Sequence, residues 1–122
     1  MDDAVNAAPT ASDALRALNH TLAAPAAVVG VPDVYGVVGE LTVVARQMEH
    51  TTRELHRLLV ARLAASGLGL SADGTAPVSV DDAVATAVSD LASAGELAGR
   101  LAGVLASGQQ ALASVTDPGT DW

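Results

Sequence analysis

Two long runs of apolar residues recur at helical spacing on either side of one stretch rich in Gly, Ser, Asp and Pro, and no other feature limits the fold as tightly. In the first run, Val34, Val37, Val38, Leu41, Val44, Ala45, Met48, Leu55, Leu58 and Leu59 share one broad face when each residue is turned by ~100°. Arg46, Glu49, His50, Arg53 and Arg57 fall on the other face. In the second run the stripe reads Val84, Val88, Leu91, Ala94, Ala98, Leu101, Leu105, Leu112 and Val115. Rows close to a seven-residue repeat run through both: Leu41, Met48 and Leu55 in one, and Val84, Leu91, Ala98, Leu105 and Leu112 in the other. A sustained period of ~3.5 residues implies shallow, coiled-coil-like packing. The pattern predicts an all-α chain, a long antiparallel helical hairpin whose helices cover residues 33–65 and 79–115. Each helix would be roughly 50 Å long at ~1.5 Å per residue.

The flanking residues set the ends. Pro32 is preset for helical φ, and Asp33 can accept an orphan N–H, so the first long helix opens there. Gly67 in Ser66-Gly67-Leu68-Gly69 suits a left-handed cap, and residues 66–78 read as the hairpin loop. Ser79 with Asp82 makes a capping box, Val78 with Ala83 a hydrophobic staple, and Asp117-Pro118-Gly119 a stop. Upstream, Leu15, Leu18 and Leu22 share a face of a short helix over 12–23, capped by Thr10 or Ser12 and ended by Pro25. Residues 24–32 form an apolar connector that packs down. The expected organisation is a flexible tail at 1–10, a single helical domain at 11–116 and a C-terminal tail at 117–122.

This core has unusual materials. There is no Phe, Ile or Cys, and aromatic residues make up 2% of the chain, so Leu, Val and Ala must fill it. Small side chains bury little area each, at roughly 25 cal/mol per Å². Length, close helix approach or a second chain must make up the difference. The broad side of the hairpin remains apolar, so the pattern predicts a homodimer in a four-helix bundle.

The net charge of −8 repels phosphate backbones and argues against nucleic acid as a partner. Without Cys there is no disulfide framework, thiol nucleophile or thiolate metal site. Met1-Asp2-Asp3-Ala4 has the wrong charge for a secretory signal, and the longest apolar run, Ala23 to Val31, is broken by Pro25. The expectation is a cytoplasmic protein with no membrane contact; leaderless secretion stays compatible with it.

Candidate sites follow from folding the hairpin about residue 72, which pairs positions whose numbers add to about 145. Arg62 then faces Asp81 and Asp82 in a candidate ion pair at the loop end. Thr51 and Thr52 interrupt the seam and face Ser93, Ala94 and Gly95 as a thin polar waist, serving either to set register or to dock a helix or small ligand. The candidate interface comprises Leu41, Val44, Met48, Thr51, Thr52, Leu55, Leu59, Leu91, Gly95, Ala98, Leu101 and Leu105. Gly95, Gly99 and Gly103 with Ser107 form a small-residue ridge, with Gly99 and Gly103 placed beside Glu96 and Arg100 on the polar side. Helical Gly costs about 1 kcal/mol relative to Ala. The ridge is either compositional drift or a partner contact. His50 and Glu54 have a chelating spacing, but a lone pair of this kind reads as solvent-exposed. There is no phosphate loop, dinucleotide fingerprint or nucleophile elbow. No catalytic residue, cofactor or metal is expected.

The two long helices, the acidic charge and the lack of Cys resemble the ESAT-6/WXG100-like helical-hairpin proteins over residues 33–115. That resemblance implies dimeric bundles and leaderless export through a type VII system. The loop reads Gly67-Leu68-Gly69-Leu70 where that family carries Trp-x-Gly, and the family's C-terminal Tyr-x-x-x-Asp/Glu signal is missing. The Ala, Val, Gly and Arg bias without Lys is similar to that of small helical proteins from high-GC actinobacteria. The leading functional expectation is a non-enzymatic interaction module that self-associates and presents a bundle surface to another protein. The alternatives are a type VII-like secreted hairpin, and a mobile-element or regulatory accessory protein touching DNA through the Arg46–Arg62 face.

Overall fold

The computed structural model describes residues 2–24, 30–65 and 80–115. These form three helices: α1 Asp2–Ala23, α2 Val31–Ala64 and α3 Val80–Leu112. No strand occurs among the described residues. The chain divides into two compact units, Met1–Gly30 and Val31–Trp122.

α1 begins at Asp2, so the segment expected as a tail is helical. Asp2 and Asp3 suit the positive helix terminus, and Ala4, Ala7, Ala8 and Ala11 are strong helix formers. Pro9 lies inside this helix, where it lacks the N–H that would bond the Val5 carbonyl. The Thr21 hydroxyl bonds back to the Ala17 carbonyl at 3.1 Å, and Arg16 pairs with Asp13 at 2.8 Å.

α2 and α3 pack against each other as the hairpin. Their limits fall within three residues of the expected ones. Pro32 occupies the first turn of α2, where a missing N–H costs nothing, and Asp33 follows it. Asp81 and Asp82 occupy the first turn of α3. The proposed caps at Gly67 and Ser79, the loop, most of the 24–32 connector and the C-terminal stop lie outside the described residues.

The core of the hairpin is thin. Its fully covered apolar residues are Ala45, Ala98 and Ala102, at 1%, 6% and 0% exposure, and Gly95 is buried with them. On α2 the covered row reads Val38, Thr42, Ala45, Glu49, Thr52, His56 and Leu59. On α3 it reads Val84, Val88, Leu91, Gly95, Ala98, Ala102, Leu105, Gln109 and Leu112. Both rows alternate steps of four and three residues, the spacing of two helices running alongside each other at a shallow angle.

A candidate helix-docking face

Small residues let α2 and α3 approach closely. A Cβ on Gly95 would lie 3.1 Å from the Thr52 hydroxyl oxygen, and one on Gly99 would lie 2.7 Å from a Glu49 carboxylate oxygen. At the open end of the hairpin, Gly39 lies against the Gln109 amide, which donates to the Tyr35 carbonyl at 3.4 Å. The numbers of these facing residues add to about 148, so the register runs about three residues beyond the expected one.

That shift decides the fate of the expected loop-end ion pair. Arg62 lies at the level of residue 86, about 6 Å along the axis from Asp82 at ~1.5 Å per residue. Arg62 is exposed, and the ion pairs seen among the described residues do not join it to Asp81 or Asp82. The ion pairs within α2 are local. Arg53 holds Glu49 at 2.7 Å and Arg57 holds Glu54 at 2.8 Å. Glu54, one half of the weak chelating pair, is thus engaged by Arg57 while His50 is exposed. Among the described residues no cluster of three or more His, Asp or Glu could hold a metal ion. No described helix is long and apolar enough to cross a membrane.

The polar waist is intrahelical on one side. Thr52 donates its hydroxyl to the Met48 and Glu49 carbonyls at 2.9 and 3.0 Å, so its polarity is spent within α2. Thr51 is exposed and outside the seam. Of the glycine ridge, Gly95 and Gly99 face α2 itself, while Gly103 meets open space. Gly99 meets the Glu49 carboxylate on the polar side of the hairpin. The close partner it accommodates is α2 of the same chain.

The two sides of the hairpin differ in kind. Residues that immediately follow seam positions make one side: Val43, Arg46, His50, Arg53, Arg57 and Val60 on α2, of which Val43 and Val60 are 48% and 41% exposed, and Ala92, Glu96, Gly99 and Gly103 on α3. Arg53, His56, Ala92, Gly95 and Glu96 line a shallow depression there. Residues that immediately precede seam positions make the opposite side, because equal offsets share a side when helices run antiparallel. On α2 these are Val37, Leu41, Val44, Met48, Thr51, Leu55 and Leu58; on α3 they include Ala87, Ala94, Leu97, Leu101 and Val104. Met48, Leu55 and Leu58 are 47%, 44% and 40% exposed, and Leu97, Leu101 and Val104 are 61%, 46% and 71% exposed.

The candidate interface therefore splits. Thr52, Leu59, Leu91, Gly95, Ala98 and Leu105 sit in the intramolecular seam. Leu41 and Val44 are half-buried beside it, and Met48, Thr51, Leu55 and Leu101 are exposed on the apolar side. The Leu41–Met48–Leu55 row does not form the α2 seam. The Val38–Ala45–Thr52–Leu59 row does, because only its small residues allow the close approach that α3 offers at Gly95, Ala98 and Ala102. Glu49 and His56 were missed as seam residues; their four-residue and three-residue steps from Ala45, Thr52 and Leu59 carried the signal.

Comparison of the chain with protein-family models, curated proteins and solved structures finds no match.

Proposed function

We propose that this chain is a non-enzymatic helical interaction module that self-associates through the apolar side of its hairpin into a four-helix bundle and offers the outer surface of that bundle to another protein. One observation carries the reading: small residues, Ala45, Thr52, Gly95, Ala98 and Ala102, fill the middle of the hairpin's seam, while Met48, Leu55, Leu97, Leu101 and Val104 stay uncovered on one side. A contiguous apolar patch of this kind marks an interaction surface. A second helical layer is the simplest cover for it, because two long helices already supply the matching ridges. The Arg-bearing side supports a duplex-binding role poorly, since Arg53 and Arg57 are paired within α2 and the whole chain carries −8.

Light scattering coupled to size exclusion tests the reading. A dimer has a mass of about 24 kDa, twice that of the 12.1 kDa chain. A protein that stays monomeric at high concentration with these leucines wetted overturns it.

A further inference from the structure

The apolar side is self-complementary about one level. On α2 the most exposed residue of the outward row Leu41, Met48, Leu55 is Met48, at 47%. The hairpin register places residue 100 of α3 opposite Met48. Among the described residues of α3 the two most exposed large apolar ones, Leu97 at 61% and Val104 at 71%, stand either side of that same level, with Leu101 between them. The most exposed apolar residues of the two helices on this side therefore stand around one height.

From this coincidence we infer that the occupant of the face is a second copy of this chain, laid antiparallel with α2 over the partner's α2 and α3 over the partner's α3, and with the two-fold axis at Met48. The inference rests on the self-association reading and specifies its geometry. In this register Met48 meets the partner's Met48, Leu41 meets the partner's Leu55, and Leu97 meets the partner's Val104. The face is also large enough. From Val34 to Arg62 it runs about 42 Å at ~1.5 Å per residue, and two helices span about 20 Å. That gives roughly 800 Å² per copy, the size at which specific protein pairs are stable. A two-fold axis lets one patch serve both subunits, which a self-matching row requires.

The chain has no Cys, so single cysteines report geometry cleanly. Under mild oxidation, Met48→Cys is expected to cross-link to itself in the full-length protein. Leu41→Cys alone is expected not to, because its copies stand about 21 Å apart along the axis, against the ~7 Å limit between Cα atoms of a disulfide. Mixing Leu41→Cys with Leu55→Cys is expected to give the heterodimer, and Leu97→Cys mixed with Val104→Cys likewise. Circular dichroism of each variant keeps misfolding separate from geometry. A dimer in which Met48→Cys joins Leu101→Cys in place of itself, or in which Leu41→Cys joins itself, overturns this arrangement and leaves self-association standing. A strict monomer overturns both.

Discussion

The middle of the seam between α2 and α3 is built from small residues, Ala45, Thr52, Gly95, Ala98 and Ala102, while the broad side next to it leaves large ones exposed. Ala45, Ala98 and Ala102 are covered; Met48, Leu97, Leu101 and Val104 are not. An isolated domain that maximised its own burial would reverse this, since each buried large side chain is worth about 2 kcal/mol and Ala far less. The arrangement makes sense when the seam serves close backbone approach and the broad side serves a second layer. Small residues contribute through backbone and Cβ contacts that only a short interhelical distance allows. Large ones need a partner surface into which they can project.

The sharpest way to break this contrast is Met48→Glu. In the proposed dimer it places two carboxylates at the two-fold axis, where each partly covered, unsatisfied group costs at least about 2 kcal/mol. Dissociation should strengthen roughly a thousand-fold, read by sedimentation equilibrium, with the monomer still helical. Unchanged mass would show that the broad side is not the interface. Next comes Ala102→Leu, which forces a large side chain into the seam at a site with 0% exposure. Overpacking should cost about 3 kcal/mol in urea unfolding and lower the midpoint without first changing oligomeric mass at low denaturant. A neutral result would mean the helices can move apart freely.

Glycine substitutions sharpen the comparison within one helix. Gly103→Ala meets nothing within 4 Å and should stabilise α3 by about 1 kcal/mol through helix propensity. Gly95→Ala brings the same propensity gain but sets a Cβ 3.1 Å from the Thr52 hydroxyl oxygen, which is held by two carbonyls of its own helix. Its gain should be smaller or reversed, and thermal unfolding of both variants reads the difference. The smallest effect belongs to the Arg53–Glu49 pair. Arg53 is 69% exposed, so Glu49→Gln should cost no more than about 0.5 kcal/mol and should matter less in high salt.

Much of the fold is legible in the residues. The α2 and α3 stripes repeat often enough that helix type and approximate limits follow from periodicity alone, and one Gly-rich interval between them requires a hairpin. One row of the α3 seam, Val84, Leu91, Ala98, Leu105 and Leu112, is equally plain, whereas Gly95 and Ala102 take the places that hydrophobicity gives to Ala94 and Leu101. α2 is different. It carries two seven-residue rows three residues apart, Val38–Ala45–Thr52–Leu59 and Leu41–Met48–Leu55, and hydrophobicity favours the second. Apolarity reports the wish to be buried and not the layer in which burial happens. The N-terminal helix shows a separate limit: Pro9 reads as a helix boundary, yet the Ala-rich flanks carry α1 through it.

By itself the sequence determined two amphipathic rods, their lengths and their antiparallel pairing, since periodicity and breakers act locally on the backbone. It also determined the charge and the absence of Cys. Only the tertiary structure decided which row of α2 meets α3 and in what register, because that choice depends on how near two backbones can come. Gly95, Gly99, Ala98 and Ala102 set that distance, and a residue's own hydropathy does not record the size of the residue across from it.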